Sequence, residues 1–315
     1  MSRRTARTTR LAALLTTPVL LLGACGEETG SAEEGGQGLS AVTVTGDLGA
    51  EPKVAWEGDF DPGEVESEVL IEGDGAALED GQQVFSRLYI GNGYSQSEAY
   101  STFGEDAAPE LLTVGEYPIP ALEAALEGQR LGTRVVVAAS PEDAFGGSGN
   151  AELGIGNADP VLFVFDVVSA LPDGPSGTDE KAAGWAPAIV GEEDPTALDF
   201  AGTPEPTDKL RITTLIAGDG EPTEKDQTIY VDYLGQVYGG KEPFDASYER
   251  EAFSFPLGGG QVVKGWDQAL EDVPVGSRVL LAVPPDQGYG EAGNPDAGIE
   301  ATDTLYFVID VLAAV

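Results

Sequence analysis

The sequence contains no histidine and a single cysteine, Cys25. The missing histidine excludes catalytic triads and dyads that use an imidazole base, and it excludes metal sites with histidine ligands. A single cysteine excludes intrachain disulfides and zinc–thiolate sites. Any chemistry must therefore rest on carboxylates, tyrosine, serine, lysine or the shape of a pocket. We expect neither a cofactor nor a metal.

Basic residues are also scarce: 16 Lys and Arg stand against 55 Asp and Glu, for a net charge of −39. Residues 1–24 carry four arginines and no acid, so the rest of the chain carries −43. Such a surface repels phosphate groups, so we expect no nucleic-acid partner. Steering of basic partners is one interpretation of the acidity. Solubility is the other, and we favour it.

The N-terminal residues have the pattern of an export signal. Four arginines precede an apolar run, Leu11 to Leu22, that is too short to span a bilayer. The run ends in Leu-Gly-Ala-Cys, which resembles the lipobox of bacterial lipoproteins. We therefore predict a signal peptide over 1–24, and a lipidated Cys25 that begins a flexible acidic tether over 25–40. The alternative is an ordinary secretory peptide with an incidental cysteine.

This interpretation predicts a location in the cell envelope. The protein would be lipid-anchored at the outer face of the bacterial cytoplasmic membrane, with the lipid as its only membrane contact. Nothing in the sequence argues for assembly, so we expect a monomer.

The C-terminal half of the sequence repeats the N-terminal half at an offset of 144 residues. Val275–Val279 falls on Leu131–Val135, and Asp303–Asp310 falls on Asp159–Asp166. At the same offset Tyr233 falls on Tyr89. The Gly-Asp-Gly at 218–220 instead falls on 73–75, so the first copy carries one extra residue there. We predict two tandem domains, at 41–171 and 209–315, with a Pro- and Gly-rich connector over 172–208.

Alternation of β-branched and polar residues predicts strands in the second copy, at Lys209–Ile216, Gln227–Gly235, Arg278–Val283 and Thr304–Leu312. Trp266, Leu270 and Val273 lie at helical spacing, and Pro274 ends that stretch. One short helix against an antiparallel sheet is an α+β arrangement. Two further apolar runs, Val42 to Phe60 and Trp185 to Phe200, predict an extension that packs on each domain.

The second copy also contains six short motifs, in this order: VDYLG (231–235), FDASYE (244–249), FSFPLG (253–258), QVVKGWDQAL (261–270), PPDQGYG (284–290) and DTLYFVID (303–310). Their order, spacing and glycines together resemble the FK506-binding-protein (FKBP) family of peptidyl-prolyl cis–trans isomerases. The resemblance implies an α+β fold with a bent antiparallel half-barrel sheet wrapped on one short helix. It also implies a cofactor-free isomerase that acts on X-Pro segments of unfolded exported proteins and binds FK506-like macrolides.

The resemblance assigns a role to ten residues. The catalytic set is Tyr233, Asp245, Trp266, Tyr289 and Phe307. The substrate-binding set is Phe244, Phe253, Val262, Val263 and Ile299. Trp266 would form the floor under the proline ring, Asp245 would orient the peptide and support Tyr233, and the Tyr289 hydroxyl and the Ile299 backbone would grip the substrate.

The first copy departs from the motifs at these positions. At the constant offset, Leu122 replaces Trp266, Ser101 replaces Asp245, Phe145 replaces Tyr289, Pro118 replaces Val262 and Pro109 replaces Phe253, whereas Tyr89, Ile155 and Phe163 are retained. We therefore predict a degenerate FKBP-like domain over 41–171 with weak or no isomerase activity.

Two other functions fit parts of the sequence. A non-catalytic chaperone or peptide-binding lipoprotein would explain the degenerate first copy, although it leaves the complete second set unexplained. A solute-binding lipoprotein of a transporter is disfavoured by the repeat and by the lack of βαβ spacing.

Overall fold

The computed structural model describes residues 37–104, 107–191 and 193–315. The predicted signal peptide, Cys25 and most of the predicted tether lie outside the described residues. Residues 37–40 of the tether are described. They lead into a 3-10 turn, Leu39–Ala41, whose first N–H donates to Glu66 at 2.9 Å. No helix of the described part is long and apolar enough to cross a membrane.

The described residues are rich in strands and contain few helices. The strands of the first half are β1 (Val42–Thr45), β2 (Lys53–Trp56), β3 (Glu66–Ile71), β4 (Gln83–Asn92), β5 (Ser97–Ser101), β6 (Glu110–Thr113), β7 (Arg134–Ala139) and β8 (Val161–Ala170). The strands of the second half are β9 (Gly177–Asp179), β10 (Ala188–Val190), β11 (Ala197–Asp199), β12 (Arg211–Gly218), β13 (Thr228–Val237), β14 (Asp245–Ala246), β15 (Phe253–Pro256), β16 (Arg278–Val283) and β17 (Leu305–Ala314). The α-helices are α1 (Pro120–Leu126), α2 (Pro141–Phe145) and α3 (Lys264–Ala269). The remaining 3-10 turns are Gly146–Ser148, Pro285–Gln287, Gly290–Ala292 and Pro295–Ala297.

Two antiparallel sheets share one strand order. The first runs β3-β7-β8-β4-β5, with β6 paired to β4. The second runs β12-β16-β17-β13-β14, with β15 paired to β13 and β9 added beyond β12. A short helix packs on one face of each sheet, α1 on the first and α3 on the second.

Strand β17 shows why both faces of the second sheet are apolar. Leu305, Phe307 and Ile309 point to the face that α3 covers. Tyr306 and Val308 point to the other face, where Trp185 and Leu198 of the preceding extension bury them. A strand buried on both faces needs apolar residues at consecutive positions, which is why β17 reads as a continuous apolar run.

Each extension contains a two-stranded hairpin that ends at a buried ion pair. The β1–β2 hairpin lies on the first sheet, where Arg134 donates to Asp166 at 2.6 Å and to the carbonyl of Ala50 at 2.6 Å. The β10–β11 hairpin lies on the second sheet, where Arg278 donates to Asp310 at 2.6 Å and to the carbonyl of Glu193 at 3.0 Å. In each pair the arginine also donates to a carbonyl of the hairpin loop, and this contact joins the extension to its sheet. A buried charge must be hydrogen-bonded, so the arginine needs these partners.

The two sheets meet at a small apolar cluster. Phe85 of β4 packs edge-to-face on Tyr230 of β13, with ring centroids 5.1 Å apart. Leu171 and Leu312 are buried beside them. The predicted connector, 172–208, therefore follows a packed residue, Leu171, and supplies β9 to the second sheet.

The strand register corrects part of the predicted repeat. Tyr233 lies opposite Ile309, and Leu88 lies opposite Phe165, the residue 144 positions before Ile309. Leu88, and not Tyr89, is therefore the counterpart of Tyr233. Strand β4 is thus displaced by one position from the constant offset, and a shift of one residue moves every side chain to the other face of a sheet. Tyr89 accordingly points to the face that the extension covers.

Candidate functional site

The site is built first on two neighbouring strands. Tyr233 of β13 points to the same face as Phe307 of β17, the face that α3 covers. Gly235 of β13 lies directly opposite Phe307. A Cβ atom on Gly235 would lie 2.6 Å from the ring of Phe244 and 2.8 Å from the ring of Phe307. Only glycine lets these two rings approach the strand so closely.

Helix α3 places an indole against both strands. Val263, in extended conformation, precedes the helix, and Trp266 follows in its first turn. Gly265 allows the helix to lie close to β16, because a Cβ atom there would meet Val283 at 2.7 Å. Asp267 of the same turn accepts hydrogen bonds from the N–H groups of Gly258 and Gly260, at 2.9 and 3.1 Å, which ties down the loop before the helix.

Trp266 is the centre of an aromatic cluster. Its ring lies 5.2 Å from that of Tyr233 and 5.2 Å from that of Phe307, edge-to-face in both cases. Phe253 and Phe255 complete the contacts, at 6.4 and 5.7 Å. Edge-to-face pairs at these distances are favourable beyond the area that they bury. Trp266 is only 4% exposed, so the cluster holds its ring in a fixed position.

A pocket of about 730 Å³ opens above the indole. Its size and its mainly aromatic walls are those of a site for a small apolar group with a few polar contacts. Nine of the ten residues assigned by resemblance line it together: Tyr233, Phe244, Asp245, Phe253, Val262, Val263, Trp266, Tyr289 and Phe307.

The tenth residue, Ile299, does not line this pocket. Its side chain is 3% exposed in the core of the second sheet. Its N–H donates to the Asn294 carbonyl at 2.9 Å, and its own carbonyl accepts from the Asn294 N–H at 2.9 Å. The Ile299 N–H is therefore not free to donate to a substrate, which does not fit the prediction that this residue grips substrate through its backbone.

The polar edge of the pocket is a short network. The Tyr233 hydroxyl donates to Asp245, and Arg250 pairs with the other oxygen of that carboxylate at 2.7 Å. Burial raises the pKa of Tyr233 well above its usual value; the hydrogen bond and charge of Asp245 raise it further, and Arg250 opposes them. The hydroxyl thus stays protonated and keeps Asp245 in place as an acceptor. The Arg250–Asp245 pair is exposed and contributes little to stability.

Several hydrogen-bond donors at the pocket have no partner within the described residues. They include the buried indole N–H of Trp266, the N–H of Val263 and the hydroxyl of Tyr289. Tyr289 is 39% exposed and lies between Gly288 and Gly290. The Val263 N–H and the Tyr289 hydroxyl are available to a bound carbonyl group. Val263 thus has a free backbone donor at the pocket, which is the kind of group that the resemblance assigned to Ile299.

Several residues of the site were not singled out in the sequence. Gln261 and Lys264 line the pocket, and Arg250 holds Asp245. Arg250 could have been identified from the sequence, since it is the one basic residue in the stretch FDASYERE that contains Asp245. Nothing in the sequence distinguishes Lys264 and Gln261, because polar residues beside a helix are common.

The first sheet has different residues at the corrected counterparts of these positions. By register, Ile90 is the counterpart of Gly235, Tyr100 of Asp245 and Glu110 of Phe253. The predicted counterparts Ser101 and Pro109 are therefore wrong by one residue each. Ile90 is buried in the core beside α1, where Gly235 leaves room for two rings. Tyr100 donates to Glu110 at 2.5 Å, so the counterparts of Asp245 and Phe253 bond to each other.

The sheet, the helix and the aromatic pocket together have the form of a binding site for a small apolar group. Comparison with known proteins gives the class. A family model described as FKBP-type peptidyl-prolyl cis-trans isomerase matches residues 219–312. The FK506-binding protein of Streptomyces anulatus is 39% identical over 117 residues, which are 37% of this chain and 94% of that protein. The chain therefore belongs to the family of FKBP-type peptidyl-prolyl cis–trans isomerases.

Two further comparisons cover a smaller share of this chain. The FKBP-type isomerase FkpA of Escherichia coli strain K12 is 41% identical over 97 residues, which are 30% of this chain and 34% of that protein. The chain thus matches about a third of the length of FkpA. A crystal structure of a peptidyl-prolyl isomerase from Pseudomonas syringae pv. tomato has 32% identity and a TM-score of 0.30, and covers 33% of this chain and 74% of that one.

Proposed function

We propose that the chain isomerises X-Pro bonds of exported proteins in the aromatic pocket of its second sheet, and that its first sheet is a degenerate domain of the same kind without turnover. The observation that carries the proposal is the pocket itself. Nine residues from β13, β14, β15, β17, α3 and three loops converge on one cavity above the Trp266 indole.

The reaction needs no proton transfer and no covalent intermediate. Rotation about a peptide bond meets a barrier of about 18–20 kcal/mol, because resonance gives the C–N bond partial double-bond character. The two X-Pro isomers are close in energy and exchange over tens to hundreds of seconds without catalysis. An enzyme accelerates this exchange by binding the twisted amide more tightly than the planar one.

The pocket favours the twisted amide in two ways. Water stabilises the charge separation of the planar amide, and a cavity lined by Trp266, Phe253 and Phe307 excludes that water from the imide. Val263 N–H and the Tyr289 hydroxyl then hold flanking carbonyl groups, so that the chain on either side of the proline is fixed while the bond rotates. Tyr233 and Asp245 form the polar wall against which the peptide is oriented.

The location and the partners form a second part of the proposal. The arginines and apolar run of residues 1–24 and the single Cys25 support export and lipid anchoring. We place the protein at the outer face of the cytoplasmic membrane, where unfolded exported chains are its substrates. Because relatives are named for FK506 binding, we propose that FK506-like macrolides occupy the same pocket.

The test is a proline-isomerisation assay on the full chain with a short X-Pro peptide. The parent chain should accelerate exchange. Trp266→Leu places in the pocket the residue type that the first sheet carries at its counterpart, Leu122, and should lower kcat/KM by about ten-fold or more. Leu122→Ala is the matched control and should leave kcat/KM unchanged. A parent chain that is no faster than buffer would overturn the proposal.

A further inference from the structure

The face of β13 turned away from the pocket carries an unusual pair of acids. Asp232 lies directly opposite Asp310 on β17, and Asp310 lies opposite Arg278 on β16. Like charges directly opposite each other in a sheet are unfavourable. Burial raises the pKa of Asp232, and the nearby Asp310 and Asp194 raise it further, against a hydrogen bond from Ser247 that lowers it. The fold therefore keeps a carboxylate at Asp232 although its burial and its acidic neighbours are unfavourable.

The corresponding row of the first sheet avoids this cost. There Arg87 lies opposite Asp166, and Asp166 lies opposite Arg134, so that charges alternate across the three strands. Arg87 donates to the carbonyl of Thr102 and to that of Ala107. An arginine at this position of the sheet is thus compatible with the fold, and the acid of the second sheet calls for a separate explanation.

The Asp232 carboxylate holds one side chain, Ser247. The Ser247 hydroxyl donates to Asp232 at 2.8 Å and accepts from the backbone N–H of Tyr233 at 2.9 Å. The backbone N–H of Ser247 donates in turn to the carbonyl of Tyr233 at 2.9 Å. Ser247 is 2% exposed, so water does not compete for these bonds. The two hydrogen bonds between Ser247 and the Tyr233 main chain hold β13 against the segment that contains Asp245 and Arg250.

In the first sheet the equivalent hydroxyl has no carboxylate partner. Thr102 accepts from the N–H of Leu88 at 2.8 Å, as Ser247 does from Tyr233. Its own hydroxyl proton has only the Leu88 carbonyl, at 3.5 Å. The sheet with the aromatic pocket thus has an acid that orients this hydroxyl, and the first sheet has none at the equivalent position.

We propose that Asp232 and Ser247 are positioning residues for the isomerase. Asp232 fixes the rotamer of the Ser247 hydroxyl, and Ser247 sets the distance between the Tyr233 main chain and the 245–250 segment. Through that distance the pair places the Tyr233 hydroxyl on Asp245 at the wall of the pocket. Neither residue touches the substrate. This inference rests on the proposed isomerase function, and it adds residues that the six sequence motifs did not assign.

The experiment compares kcat and KM of full-chain variants with an X-Pro peptide. Ser247→Ala and Asp232→Ala should each lower kcat by about ten-fold, because sub-ångström misplacement of a catalytic wall has effects of that order, with KM within about two-fold since the aromatic walls remain. Ser247→Thr keeps the hydroxyl and Asp232→Asn keeps an acceptor, so both should retain most of kcat. Thr102→Ala removes the equivalent hydroxyl of the first sheet and should not change kcat.

Circular dichroism at the assay temperature separates positioning from unfolding. A kcat loss that appears in both alanine variants while they stay folded, and that the conservative variants restore, supports the proposal. Full kcat in folded Ser247→Ala, or an equal loss in Thr102→Ala, overturns it. An inactive parent chain would instead contradict the proposed isomerase function, before any of these variants is compared.

Discussion

Gly235 offers a sharp test of how the pocket is built. A Cβ atom at this position would lie 2.6 Å from Phe244 and 2.8 Å from Phe307, closer than carbon atoms approach in folded proteins. Both rings line the pocket, and the Phe244 and Phe307 rings already pack edge-to-face at 5.7 Å. Gly235→Ala must therefore push at least one ring toward the cavity or move β13.

The expected cost follows from overpacking, which destabilises a core by about 1–3 kcal/mol per added group. We expect the free energy of unfolding to fall within that range and kcat/KM for an X-Pro peptide to fall by about ten-fold or more, since a small displacement at a catalytic wall has effects of that size. Denaturant unfolding and the isomerisation assay measure the two effects on the same samples.

Gly184→Ala is the control, because a Cβ atom at Gly184 has no heavy atom within 4 Å. It should change neither stability nor turnover by a measurable amount. If Gly235→Ala keeps full stability and full kcat/KM, then the close approach of the two rings to β13 is not what shapes the pocket, and the account of the site is wrong.

Three further predictions concern single groups. Tyr289→Phe removes only the unused hydroxyl, so kcat/KM should fall about three- to ten-fold, which corresponds to the loss of one hydrogen bond of about 1 kcal/mol. The melting temperature should not change, and an unchanged kcat/KM would show that this hydroxyl binds no substrate. The pKa of Tyr233 is raised above its usual value, so its hydroxyl stays protonated through neutral and mildly alkaline pH, and kcat/KM should be flat between about pH 6 and 9; a sigmoidal loss in that range would contradict the assignment. Arg278→Met leaves the buried Asp310 without its cationic partner and should lower the free energy of unfolding by about 3–5 kcal/mol, whereas Arg250→Met, at an exposed pair, should have little effect on stability; equal effects would refute the distinction.

The strands of the second sheet are largely evident in the sequence. The apolar runs in Arg278–Val283 and Thr304–Leu312 indicate β16 and most of β17, and both strands are buried on both faces. The apolar run from Trp185 to Phe200 likewise indicates the extension whose Trp185 and Leu198 are buried on the outer face. Apolar runs identify these elements because a strand covered on both faces needs apolar residues at consecutive positions.

The strand register of the first sheet could not be read from a constant offset. Strands β3, β4 and β5 are all displaced by one residue from the constant offset, as Gly73–Gly75 is, and the change in chain length comes only after β5, in a segment without a motif. Tyr89 looked like the counterpart of Tyr233 because the residue types agree. Hydrogen-bond pairing, which depends on both strands at once, shows that Leu88 occupies the position.

The role given to Ile299 does not fit the structure for a related reason. A sequence shows which side chain stands at a position, but not whether the main chain there already has partners. The pairing of Ile299 with Asn294 is a contact between loop residues, and the free N–H of Val263 depends on the turn before α3. Backbone donors at a binding site emerge only from the folded structure.

The most direct test of the aromatic pocket uses the indole N–H groups as reporters. The chain has three tryptophans, of which Trp56 and Trp185 lie on the extensions and Trp266 lies under the pocket. A ¹⁵N-labelled full chain, with peaks assigned by single Trp→Phe variants, is titrated with an X-Pro peptide whose cis–trans exchange is followed in the same tube. The account predicts that the Trp266 peak shifts on binding while exchange accelerates, and that the Trp56 and Trp185 peaks stay in place. Accelerated exchange with an unmoved Trp266 peak would contradict it.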